Sequence, residues 1–299
     1  MGAITFGTPL TMGSGDTPSI AINNQSIVVT VHVESGAVVY RVGRVDKKNR
    51  TLRLSASKPL TAGAERPTIA LNNQNLAVSV YERDRKSIFS APGFVNPDTN
   101  TIGFFAGKSY DSGVTPSVAL RDDGNALEIH KSERADGLYC KVGPFKNGSI
   151  DWGSSHGGDY GQAPKVALAG SVACEVHRSE SSPADLYYNV GTIDAQKRSC
   201  SLSGGTFYYT VPNGSAPSPA LALTSNLIAV EVHDGGGGDT ALSYFFGTVN
   251  PDKKKITWPD TPTAMNVFGS TPSVAANNDD VVVVAYTRGG QLTYLVGTF

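Results

Sequence analysis

GVTPSVALRDDGNALEIHKSERADGLYCKVGPFKNGSIDWGSSHGGDY, from Gly113 to Tyr160, is the unit from which the whole chain is built. It opens on Gly-x-x-Pro-x-Val-Ala and crosses a polar turn into an alternating segment that ends Glu128-Ile129-His130. A second alternating segment follows, Leu138 to Gly143, and then a short strand-like Ser149-Ile150-Asp151-Trp152. Apolar residues at every second position between turn residues indicate half-buried strands. Four such segments predict one small antiparallel sheet.

Working outward, the opening prolines recur as Pro18, Pro67, Pro116, Pro164, Pro217 and Pro272, spaced 49, 49, 48, 53 and 55 apart. The glycines closing the third segment are Gly43, Gly93, Gly143, Gly191, Gly247 and Gly297. Self-similarity at a fixed period of this size signals a repeat architecture. The sixth copy stops at Thr298-Phe299, where a fourth strand should begin, and Ala3 to Gly7 stands where SIDWG stands in the third copy. Through the joined ends, Pro272 to Pro18 is 45 residues, close to one period. A repeat split between the termini latches a ring. The expected fold is therefore an all-β, six-bladed β-propeller of four-stranded antiparallel blades, closed by the N-terminal strand. It is expected to be a single domain over residues 1–299. The blades fall at about 13–62, 63–112, 113–160, 161–213, 214–268, and 269–299 plus 1–12.

Within each copy the residue types have separate physical reasons. Proline lacks an N–H and suits the first residue of an inner strand. Asn23-Asn24, Asn72-Asn73 and Asn277-Asn278 form the next turns, where asparagine tolerates positive φ. Tyr40, Phe89, Tyr139, Tyr188, Phe245 and Tyr294 place an aromatic on every third strand, to pack between neighbouring sheets. Blade 5 departs at Pro219, and the run Gly235 to Gly238 reads as a surface loop.

Charge and composition exclude several classes. With 25 basic and 26 acidic side chains the net charge is −1, and no basic stripe offers itself to phosphate, so nucleic acid is not expected as a partner. No apolar run approaches the roughly 18 residues of a membrane span, and no export signal opens the chain. A soluble protein is expected, cytoplasmic or secreted with its signal removed. Cys140, Cys174 and Cys200 are odd in number, have no metal-like spacing, and read as buried free thiols. No cofactor or metal is implied.

One polar position recurs. The second strand ends at His32, Tyr81, His130, His177, His233 and Tyr286, so four of the five histidines share one place in the repeat. Glu128, Glu175 and Glu231 precede by two, on the same strand face. Ser132 and Ser179 continue that face in two copies. These eleven residues are either a buried network between blades or a repeated pocket that bonds sugar hydroxyls. A zinc site would need more ligands than one Glu and one His supply. No isolated carboxylate pair, Ser-His-Asp set or phosphate loop stands out, so no catalytic residue is assigned.

The repeat resembles the sheets of bacterial and fungal repeat propellers, among them the six-bladed fungal fucose-binding lectins and the tectonin-like lectins. The Arg, Glu and Trp set of the fucose pockets is not reproduced in register, since tryptophan occurs only at Trp152 and Trp258. Asn147 to Trp152 looks similar to a sialidase Asp-box but has a different order. The resemblance implies a multivalent lectin with sites between blades and with glycans or glycoconjugates as partners. A non-catalytic scaffold for protein partners is the alternative. A glycan-processing hydrolase with a single axial site comes third.

Overall fold

A computed structural model describes residues 3–84, 86–134, 137–202, 204–212 and 216–299; the blade boundary read at 213/214 lies outside them. Every regular element among the described residues is a strand, so no helix is long and apolar enough to cross a membrane. In the third repeat, Val114–Leu120, Asn125–Lys131 and Gly137–Lys146 form inner, second and third strands, with Val118 opposite Glu128 and Glu128 opposite Lys141.

The outer edge differs from the expected single strand. Ser149–Ile150 and His156–Tyr160 both pair the third strand, giving five strands per sheet instead of four. The recurrent third-strand glycine is the cause. At Gly143 the outer chain crosses so closely that a Cβ would lie 2.5 Å from the Asp151 carbonyl oxygen and 2.9 Å from the Trp152 Cα. The chain bends over this glycine, and the ladder breaks into two pieces.

The blade count is also corrected. The ladders make four separate five-stranded blades and one continuous nine-stranded sheet, not six separate blades. The fusion comes from Thr263–Ala276, a 14-residue strand that pairs Thr240–Asn250 on one side and Val281–Arg288 on the other. At Gly15, Gly63, Gly113 and Gly161 the crossing residue leaves the ladder. At Gly269 the pairing with Thr240 keeps it in. Repeats 5 and 6 thereby become one sheet.

Thr5–Phe6 and Leu10–Ser14 pair Gln291–Thr298 from the other end of the chain, with Phe6 opposite Gly297 and Leu10 opposite Tyr294. The inner strands touch in chain order, and Thr263–Ala276 touches Asp16–Ile22, so the β-propeller closes about an axis. Apolar clusters fill the spaces between successive repeats. One joins Ile20, Ile22 and Val28 of the first repeat to Ala275, Val281, Val283 and Tyr294 of the last. Tyr40 and Tyr188 reach across such spaces to the carbonyls of Ile102 and Ile256, 3.3 and 3.4 Å away.

Two local expectations are revised. Asn23, Asn72 and Asn277 do not supply the positive φ of their turns; Ser26, Asn75 and Asp280 do, at 58°, 61° and 57°. Each asparagine instead closes the turn through its side-chain oxygen. Asn72 Oδ1, for example, accepts the N–H of Gln74 and of Leu76 at 3.0 and 2.9 Å. Among the cysteines, Cys140 and Cys200 form a disulfide across sixty residues with a Cα separation of 6.6 Å, within the range a bridge needs. Spacing could not show this, because the two residues meet only when the outer strand of the fourth repeat lies on the third. Cys174 is free and buried, and burial pushes its thiol up to about 12.

Candidate functional site at the axial mouth

Two adjacent positions at the end of each second strand point to opposite faces, and they behave in opposite ways. The first is the His/Tyr position. His32, Tyr81, His130, His177, His233 and Tyr286 are all at most 3% exposed, and Glu128, Glu175 and Glu231 are fully buried. His130 and His177 bond their own glutamates through Nδ1 at 3.0 Å, and His233 does so at 2.9 Å. Asn189 donates to Glu175 at 2.9 Å. On the far side, His130 and His177 face Asp111 and Asp159 from the outer strand of the preceding repeat, at 3.9 and 3.8 Å. Tyr139 and Tyr187 stack on the two rings.

The ring also explains the preceding glycine. A Cβ at Gly161 would collide with His177 and with the Arg178 carbonyl, and one at Gly269 with Tyr286 and the Thr287 carbonyl. A flat ring lying on the crossover suits either His or Tyr. Ser132 and Ser179 do not join this cluster. Their hydroxyl oxygens accept the N–H of Arg134 and Ser182 in the following turn.

Burial lowers the imidazoles of His130 and His177, but the charge and hydrogen bond of the paired glutamate outweigh it, and both stand above 6.5. Burial likewise raises Glu128. His32, which has Thr30 where the glutamate would stand, is pushed below 6.5 by burial. A raised histidine contributes stability that is fully present below its unfolded value and lost as pH climbs through the folded one. The melting temperature of the wild type should therefore fall more steeply from pH ~6 to pH ~8.5 than that of the His130→Gln, His177→Gln double variant. Parallel curves would contradict this assignment.

The second position reads Val33, Glu82, Lys131, Arg178, Asp234 and Thr287, six different residues. Where the first position faces the preceding repeat, this one reaches toward the next. Glu82 accepts the N–H of Thr115 and Asp234 that of Thr271, at 2.9 Å for the latter. Lys131 bonds Glu180 at 3.0 Å, and Arg178 bonds the carbonyls of Ala216 and Pro217.

Their inner-strand counterparts are re-aimed by a β-bulge just before each proline. The pairing slips at Asp16/Ser19, Glu65/Thr68, Val114/Ser117, Gln162/Lys165 and Ser270/Ser273. Thr17, Arg66, Thr115, Ala163 and Thr271 take φ between 46° and 53° there. Such backbone is uncommon outside glycine, and bulges of this kind turn a side chain toward a site. All five line an axial cavity of about 430 Å³ together with Lys131, Lys165, Arg178, Gln162 and four of the six prolines. That size suits a small ligand.

Two carboxylates back this mouth. Glu82 accepts Arg66 at 2.7 Å. Asp234 accepts the N–H groups of Ser218, Gly236 and Thr271, yet burial keeps its carboxyl above the usual range. Counted along the ring of inner strands, they stand three repeats apart, across the axis. None of the eleven residues named from the sequence lines this cavity. The signal that could have found it was present in the sequence. One position keeps two residue types through six copies while its neighbour never repeats. Among the described residues no group of three His, Cys, Asp or Glu side chains is placed to hold a metal.

No family model matches the sequence, and no curated protein matches it. Solved structures do. The Penicillium chrysogenum alpha-L-arabinanase complexed with arabinobiose is 14% identical with a TM-score of 0.62, over 98% of both chains. AofleA from Arthrobotrys oligospora is 8% identical with a TM-score of 0.66, over 97% of this chain and 86% of that one. The Trypanosoma rangeli sialidase is 10% identical with a TM-score of 0.61; this chain is covered to 96% and the sialidase to 55%. The likeness is one of fold. The lectin expectation is corrected at the expected sites themselves. Similar chains include an arabinanase and several sialidases, and the Glu and His residues expected to form repeated sugar pockets are closed off between sheets.

Proposed function

We propose that the chain is a glycan-processing hydrolase whose single site is the axial cavity, built as one domain over residues 1–299. The observation that carries this reading is the chemical inequality of the axial position. A binding protein with equal sites repeats its contacts, whereas catalysis at one centre needs different groups around it. Glycoside hydrolysis needs two carboxylates of unlike environment flanking the bond. Asp234, held above the usual carboxylate range by burial, is the candidate acid. Glu82, ion-paired with Arg66, supplies the second carboxylate. The bulged residues and prolines form the wall, and the sugar class remains that of the similar structures, glycans in general.

The test is a screen of the purified chain against arabinan, galactan, galacturonan and sialyl-oligosaccharides, with released ends read by mass spectrometry. At least one substrate should be cleaved, and Asp234→Asn should lower kcat by about 100-fold or more, the usual loss for a general acid. A wild-type chain that cleaves none of them overturns the reading.

The scaffold alternative has one observation in its favour. Phe94 and Phe105, 46% and 43% exposed, pack on Phe145 at the outer rim. The screen separates the two, because a scaffold leaves every glycan intact.

A further inference from the structure

The charges around the axial cavity are not balanced. Four cationic side chains line it, Arg66, Lys131, Lys165 and Arg178, and no Asp or Glu does. Arg66 is neutralised by Glu82, and Lys131 by Glu180 at 3.0 Å. The other two have no ion-pair partner among the described residues. Arg178 is hydrogen-bonded only by uncharged groups, the Gln162 Oε1 at 2.6 Å and two backbone carbonyls, with Asp234 and Glu180 near enough to act on its charge but not bonded to it. Lys165 stands alone. It occupies the place after the proline where Ser19, Ser117 and Ser273 stand in other repeats, and those hydroxyls accept the N–H of Ile69, Val166 and Ile20 in the next inner strand. In the fourth repeat this brace is given up for an amine inside the cavity. The cavity wall, against which it is half-buried, strips part of its water and lowers it to about 8. A desolvated cation without a partner is costly unless a ligand supplies the opposite charge.

We infer that the axial site takes an acidic glycan, with Lys165 and Arg178 together holding the carboxylate of a uronic or sialic acid unit. Arg178 offers a planar fork that matches a carboxylate, and Lys165 adds a point charge beside it. The Gln162 oxygen fixes the guanidinium from the other side. Thr17, Thr271 and Ser218, which also line the cavity, offer hydroxyls to the neutral remainder of the sugar. The lone amine also sets a pH limit. As pH rises through about 8 the Lys165 charge is lost, and carboxylate affinity falls with it.

This inference rests on the axial site of the proposed function, and matched probes separate the two. Trigalacturonate and α-1,4-linked galactotriose differ in the C6 carboxylates alone, as 3′-sialyllactose differs from lactose in its acidic unit. Isothermal titration of the wild type should show at least one acidic probe binding tenfold or more tighter than its neutral partner, consistent with a charged hydrogen bond. Lys165→Met and Arg178→Gln should each remove that preference, while Lys165→Arg keeps it and retains it above pH 8. Melting curves of each variant establish that it is folded, and the arginine variant reports even where the methionine variant does not fold. Equal affinity for acidic and neutral partners overturns the inference and leaves hydrolysis of neutral glycans standing. Tight, Lys165-dependent binding without cleavage leaves the inference standing and overturns the hydrolase.

Discussion

Removing residues 1–14 should lower the melting temperature on the order of 10 °C or leave the chain insoluble. The segment supplies both outer pieces that pair Gln291–Thr298 in the nine-stranded sheet. Ile4 is 7% exposed among Tyr244, Leu295 and Met265, its N–H donates to the Tyr244 hydroxyl at 3.0 Å, and Phe6 meets Tyr244 edge-on at 5.8 Å. Burying two such side chains contributes roughly 3–6 kcal/mol, out of a total that for most proteins is about 5–15 kcal/mol. Each kcal/mol shifts the midpoint of a chain this long by about 2–4 °C. The deletion also bares the Gln291–Thr298 edge, an invitation to pair with other chains. Thermal melts and size-exclusion chromatography check this. A truncated chain that melts with the wild type would mean the termini do not hold the ring.

His177→Ala should have the second large effect, on stability and not on catalysis. The substitution leaves Glu175, fully buried, with Asn189 as its remaining hydrogen-bond donor. An unpaired buried polar group costs about 1–3 kcal/mol, and a buried ion pair broken from one side about 3–5 kcal/mol. A loss of roughly 3 kcal/mol in urea unfolding is therefore expected, with kcat/KM per folded molecule unchanged on whichever glycan is cleaved. A variant of wild-type stability that loses activity would turn the Glu175–His177 pair from a brace into a site. Ala at Gly161 attacks the same contact from the other side, where the new methyl meets the imidazole.

The repeat, the strand alternation and the meeting of the two termini were legible in the sequence because they follow from period and turn chemistry. Gly143 and its five counterparts were visible as well, but not their effect. A glycine that lets one chain cross another breaks the outer edge in two, and that contact is long-range. The fused sheet turns on whether one residue, Gly269, keeps its ladder bond. The disulfide depends on which outer strand lies beside Cys140. At the site, recurrence drew attention to the Glu-x-His face, yet recurrence is what a structural brace requires of a repeat. The axial residues were hidden for the converse reason. Arg66, Lys165, Arg178 and Asp234 share no residue type, and the bulge that brings Arg66 and its counterparts to one mouth is a backbone slip that no period reveals.

A crystal structure of the wild-type chain soaked with a hydrolysis-resistant, thio-linked form of its best glycan gives the most direct measurement. The sugar should lie against Arg66, Thr115 and Arg178 in the axial cavity, whose walls Glu82 and Asp234 back through Arg66 and Thr271. Sugar in the grooves between sheets, beside Tyr139 and Tyr187, with the axial cavity empty would contradict it.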